Sequence, residues 1–171
     1  MTSPNQPLRI GIDVGRVLME ADTDPSASFF GPNFLATPAI PGAFEAVAAL
    51  VRLHGAESIH LVSKCAPPTQ MRTRAWLAHH AFHAKTGVPP EQVHFCLQRS
   101  EKRALCDAHG LRAFVDDRFS VLEHLLHLDH LYLFRPLLKE RAAWAASPAR
   151  ERVLLVEAWE RAAFAAIWSA E

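Results

Sequence analysis

Apolar residues come in short runs along this chain, and the runs alternate with stretches whose apolar positions recur at helical spacing. Leu8, Ile10 and Ile12 alternate with polar or small residues and predict a first strand, Leu8 to Ile12. Residues 19–38, with prolines, a glycine and several capping-type polar residues, predict a loop or flap. Phe44, Val47, Ala48 and Val51 recur in steps of three and four and predict a helix that Gly55 ends. Ser58 to Val62 predicts a second strand. Thr69 stands as the cap of a helix reaching about Lys85, broken by Gly87 and Pro89–Pro90. Val93 to Leu97 predicts a third strand, and Ser100 caps a helix to about His109. Leu111 to Val115 predicts a fourth strand, Val121 to Leu128 a helix, and His130 to Phe134 a fifth strand. Beyond Pro136 two helices around Pro148 close the chain, with Leu155, Trp159, Ala163 and Ile167 at helical steps.

Strands alternating with helices predict a mostly parallel sheet covered on both faces and joined by right-handed crossovers. The expected fold is therefore a three-layer α/β/α, Rossmann-like single domain over residues 1–171 with about five parallel strands. Its core spans about 8–135, its minimal cap or flap about 19–38, and its C-terminal helical extension about 137–168.

In open parallel sheets the ligand site lies beyond the carboxyl ends of the strands. Asp13 follows the first apolar run, Ser63, Lys64 and Cys65 follow the second, and Asp116–Asp117 follow the fourth. Lys102 stands at the start of the helix before the fourth strand. Each alone reads as a cap, a turn residue or a solvated charge. The adjacent acids are the sharper signal, because neighbouring carboxylates at a buried strand end repel unless something cationic offsets them.

In order and spacing, this set resembles the haloacid dehalogenase superfamily, chiefly its phosphatase branch, over about Leu8 to Arg135. The strand-end motif Asp13-Val14-Gly15-Arg16-Val17, then Ile59–Ser63, then Lys102, then Ala113–Asp117 follow the family's four motifs. The resemblance implies Asp13 as a nucleophile forming an aspartyl-phosphate, with Ser63 and Lys102 holding the transferring phosphoryl oxygens. It implies Mg²⁺ as cofactor, a hard ion preferring oxygen, bound by Asp13, the Gly15 carbonyl and Asp116 or Asp117. Arg16, Lys64, Arg99 and Arg118 are candidates for binding a small phosphorylated or anionic substrate. Arg135 also flanks a strand end.

Gly15 departs from the family, whose phosphatases carry there the acid that protonates the leaving group and activates water. General acid–base catalysis contributes about 10²- to 10⁴-fold, so an alkyl phosphate would react slowly. Arg16 departs again, where the family usually has glycine. Three accounts stay open. Glu20, Asp22 or Asp24 supplies the proton; the substrate carries a good leaving group, such as an acyl phosphate; or the chemistry is not phosphoryl hydrolysis. Dehalogenase and phosphonate-cleaving relatives also lack that acid, but the first need no metal and the second need a cap domain with its own lysine. The rival reading is a catalytically silent fold that binds phosphate or a protein partner.

Composition narrows the picture further. Eighteen basic residues cancel eighteen acidic ones, which argues against an extended nucleic-acid or membrane footprint. Cys65, Cys96 and Cys106 fit neither a disulfide framework nor a zinc motif and predict reduced thiols in a cytoplasm. No apolar run reaches the 18 or more residues of a membrane span, and MTSPNQPLR lacks a signal-peptide core. Arginine (14) far exceeds lysine (4), which hints at a GC-rich bacterial gene. His79, His80 and His83 predict a solvated or partly buried helix face. Phe29, Phe30 and Phe34 predict flap packing, with a cover over the site as the alternative. Trp144 and Trp168 predict core packing, with a homodimer interface as the alternative.

Overall fold

The computed structural model of the protein describes residues 7–20 and 29–168; the part of the flap at 21–28, with Asp22 and Asp24, lies outside them. Six strands form the sheet: β1 (Ile10–Ile12), β2 (Ile59–Lys64), β3 (Val93–Cys96), β4 (Ala113–Asp116), β5 (His130–Phe134) and β6 (Val153–Val156). Their order is β3-β2-β1-β4-β5-β6, and every neighbouring pair runs parallel. The helices are α1 (Ala43–His54), α2 (Pro67–His79), α3 (Phe82–Thr86), α4 (Glu101–His109), α5 (Phe119–Leu122), α6 (Leu138–Ala146) and α7 (Ala165–Trp168). The molecule is thus a three-layer, Rossmann-like α/β fold with one strand more than expected.

Strand pleating divides the buried residues between two cores. Ile10, Ile12, Leu61, Tyr132 and Phe134 face α1, α2, α3 and the C-terminal segment. Val62, Phe114, Leu131, Leu133 and Val153 face α4, α5 and α6. Gly11 allows the second core to close: a Cβ there would lie 2.4 Å from the Phe114 ring, which fills the space instead. Trp159 braces the loop after β1 from below, its indole N–H donating to the Val17 carbonyl at 2.8 Å while its ring stacks on Phe164.

Several expectations need correction. The C-terminal extension is not wholly helical: residues 153–156 form the edge strand β6, whose Leu131↔Val153 register extends the sheet. A four-residue apolar run, VLLV, fits either a strand or a buried helix by pattern alone, and pairing with β5 decides it. Trp159, Ala163 and Ile167 consequently sit on a loop, a 3-10 turn (Arg161–Phe164) and α7, not on one helix with Leu155. The rings expected to choose between core and dimer pack within the chain, with Trp168 buried near Phe164 and the Trp144 N–H donating to the Val153 carbonyl.

The helix expected over 69–85 is two helices. α2 starts at Pro67, where the missing proline N–H is harmless, and stops at His79. Ala81 adopts a left-handed φ of +54°, which turns Phe82 into the core against Phe44. The helix expected over 121–128 is shorter too, α5 giving way to a 3-10 turn at Glu123–Leu125. Leu8, Ser58, Leu97 and Leu111 fall just outside their strands, the usual shift at element ends.

Candidate functional site

In this strand order the connections leaving β1 and β4 diverge, and a crevice opens between their carboxyl ends. The crevice is a cavity of about 490 Å³. Asp13, Gly15, Arg16, Ser63, Lys64, Arg99, Lys102, Asp116, Asp117 and Arg118 line it. Asp13 leaves the sheet with its backbone N–H still donating to the Val115 carbonyl at 2.9 Å, which fixes it against β4. Ser63 is buried near the end of β2 and Asp116 ends β4. Lys102 reaches the cavity because it lies in the first turn of α4, ahead of which the Glu101 carboxylate accepts from the Leu97 and Gln98 N–H groups.

At the centre, Lys102 Nζ donates to Asp13 Oδ1 at 2.9 Å and to Asp116 Oδ2 at 2.7 Å. Its side chain is only 3% exposed. Burial alone would lower the lysine's pKa, but Asp116 and Asp13 outweigh burial and hold the ammonium above the ordinary lysine range. Asp116 also accepts from the Arg118 backbone N–H at 2.9 Å. Burial nevertheless pushes Asp116 up, with Lys102 opposing and Asp13 adding to the rise. Asp117 is pushed to about 7, first by burial and then by Asp116 and Asp13. Arg16 Nε stands 3.0 Å from Asp117 Oδ2, yet this half-exposed guanidinium offsets only part of that rise. Three buried carboxylates thus lie among Lys102, Arg16 and Arg118, and Arg118 offsets Asp117 more than Arg16 does. Oxygens of Asp13, Asp116 and Asp117 lie within 4.8 Å of one another, so these residues are the oxygen donors that could hold a hard divalent cation here.

Gly15 and Arg16 exchange the backbone roles their types suggest. A Cβ at Gly15 would meet nothing within 4 Å, and the residue is not among those with positive φ. Neither a close approach nor a left-handed backbone demands glycine there. Arg16 instead takes the left-handed conformation, φ +64°, which is uncommon outside glycine, asparagine and aspartate. A strained residue held by an ion pair to the acid beside it marks a site under constraint.

Around this centre, Phe29 is buried edge-on to Phe34, while Phe30 is 68% exposed at the cavity mouth. The aromatics therefore divide between flap packing and the rim. Glu20 lines the cavity and pairs with Arg135 at 3.2 Å; Arg135 itself is not part of the lining. Burial raises the Cys65 pKa and keeps it a thiol. His80 and His83 bond to the Leu35 and Val88 carbonyls, which accounts for them structurally.

A second cluster lies outside the residues that the sequence pattern singles out. His60 on β2, His94 on β3 and His109 at the end of α4 come together at the other end of the sheet. His60 and His94 stood in plain view inside apolar runs, but only the β2–β3 register, Val62↔His94, makes them neighbours.

No protein-family model matches the chain, and no curated protein matches it. The fold and the cavity define a parallel α/β protein with an acid- and lysine-bearing pocket at the carboxyl edge of its sheet.

Proposed function

We propose that the protein is a hydrolase of the haloacid dehalogenase type that transfers a phosphoryl group to Asp13. The observation that carries the reading is Lys102, whose buried ammonium joins Asp13 to Asp116 in a cavity also lined by Ser63. An Asp13 carboxylate oxygen attacks phosphorus, the bond to the leaving-group oxygen breaks, and the resulting acyl phosphate is hydrolysed by water. Lys102 neutralises the nucleophile's charge as the anionic substrate arrives. Ser63 and Lys102 hold the equatorial oxygens, where charge accumulates in the transition state. Mg²⁺ fits the donor set, because three carboxylates converge with oxygens close together; Asp13, Asp116, Asp117 and the Gly15 carbonyl would hold it. When bound, it would neutralise phosphoryl oxygens. Lys64, Arg99 and Arg118 supply cationic charge at the cavity for the rest of an anionic substrate.

With no carboxyl at position 15, the leaving group departs as an anion, so the substrate class is an activated phosphate. The test is a panel of acyl, aryl and alkyl phosphates with Mg²⁺, comparing wild type with Asp13→Asn. Rates should follow the leaving group's stability as an anion and vanish in the variant. Equal rates on acyl and alkyl phosphates would mean that another group, such as Glu20, supplies the proton. No turnover of any member, with phosphate still binding, would favour the silent binding module.

A further inference from the structure

His60, His94 and His109 lie on the α4 side of the sheet, away from the cavity. Lys102 faces the cavity from the first turn of α4, and His109 ends the same helix seven residues later, about 10 Å along its axis. His60 stands near the amino end of β2, while Ser63 stands near its carboxyl end. The two clusters therefore occupy opposite ends of the fold.

We propose that His60, His94 and His109 form a binding site for a late first-row divalent metal ion of the Zn²⁺ class. One ring nitrogen of each can be chosen so that the three lie within 4.8 Å of one another. The closest pair, His60 Nδ1 and His94 Nε2, is 3.1 Å apart. Two donors in a tetrahedral site with bonds of about 2.0–2.1 Å stand roughly 3.3–3.4 Å apart, so this pair needs little adjustment. His94 and His109 stack with ring centroids 4.0 Å apart, and both are half-exposed, which leaves them free to turn and gives an ion a way in.

Without an ion, His60 Nδ1 and His94 Nε2 share a hydrogen bond at 3.1 Å, which metal binding would replace. His60 is 98% buried, by its 2% exposure, and its Nε2 makes no hydrogen bond among the described residues. Burial and the neighbouring histidines hold His60 down at about 4, and burial lowers His94 as well. Three imidazoles and no thiolate suit Zn²⁺, Cu²⁺ or Ni²⁺ rather than Mg²⁺ or Ca²⁺. Arg9 and Arg74 carry positive charge near the cluster and oppose a bound cation, so binding weaker than that of a structural zinc site is expected. A fourth coordination position stays open to water. Bound there, the ion ties β2, β3 and α4 together.

The proposal does not depend on the phosphoryl-transfer reading. Untagged protein, stripped with chelator and kept in excess Mg²⁺ to fill the acidic cavity, is titrated with Zn²⁺ by equilibrium dialysis and with Co²⁺ by visible absorption. One equivalent of Zn²⁺ should bind with Kd of about 10 µM or tighter, a free energy of roughly −7 kcal/mol, and Co²⁺ should give a tetrahedral spectrum. The double variant His94→Gln/His109→Gln alters only half-exposed side chains and should weaken binding by about a hundredfold or more while circular dichroism stays unchanged. In wild type, Zn²⁺ should also shift the imidazole ¹⁵N resonances of all three histidines, a readout that needs no variant. Absence of binding at about 100 µM Zn²⁺, or equal binding by the double variant, overturns the proposal.

Discussion

Arg16 holds a left-handed backbone and sets its Nε 3.0 Å from Asp117 Oδ2, so the residue beside Gly15 is bound to the far acid of the cavity. That guanidinium competes with any cation for the same carboxylate. Arg16→Gly removes the competitor and suits the left-handed conformation better than any other residue. Isothermal titration should find Mg²⁺ bound about fivefold more tightly by the variant, the factor that about 1 kcal/mol represents. Weaker binding would mean that Arg16 orients Asp117 for the ion.

Asp117 carries the pH dependence. Its folded pKa of about 7 stands above an ordinary 3.8, so the folded state binds this proton more tightly than the unfolded chain does. The resulting stability is fully present below pH 3.8 and is lost as pH rises through 7. Metal-free protein should melt lower at pH 8 than at pH 5.5, by about 2–4 °C for each kcal/mol involved. Millimolar Mg²⁺ should raise the midpoint more at pH 8, because protons compete for the ligand at pH 5.5. Identical Mg²⁺ shifts at both values would place the ion elsewhere.

Lys102→Met keeps most of the volume and removes the charge between Asp13 and Asp116. Stripping one partner from a buried ion pair costs about 3–5 kcal/mol, and the effect should shrink at pH 5, where the freed carboxylates take up protons. Denaturant titrations at pH 5 and pH 8 check this. Turnover of an acyl phosphate should drop by about 10²- to 10³-fold at either pH.

Gly15→Asp places a carboxylate in open space on an unstrained backbone, so the fold should persist within about 0.5 kcal/mol. We expect acyl-phosphate turnover to fall, since a fourth carboxylate would draw Arg16 from Asp117. A rise of about tenfold or more on alkyl phosphates would instead identify Gly15 as a lost general acid.

Gly11→Ala drives a methyl into the buried Phe114 ring and should destabilise the fold by about 1–3 kcal/mol. Gly11→Ala/Phe114→Leu should recover part of that loss in a double-mutant cycle.

The acids and hydroxyl of the cavity were legible because each directly follows an apolar run, and a parallel sheet aligns such positions along one edge. Lys102 was legible because helices return antiparallel to the strands, bringing their first turn to that edge. β6 was not, since its four apolar residues carry no period that separates strand from helix. The left-handed turn at Arg16 was hidden, because side-chain type there argues against the conformation the chain adopts. Gly11 reads as an ordinary strand residue until Phe114 is set beside it. The histidine trio needs the β2–β3 register and the length of α4 together, and neither is written in local pattern.

The central place of β1 has a consequence for how the chain acquires its structure. Ile10 pairs with Ile59 on one side and with Ala113 on the other. On a ribosome adding roughly 5–20 residues per second, the second edge of β1 waits on the order of 5–20 s for its partner to be made. Throughout that interval an apolar strand stands open along one side, and contacts this distant in sequence close slowly even afterwards. Expression at lower temperature or with added chaperone should therefore change the soluble yield of this protein more than that of a helical bundle of equal length, whose contacts are local.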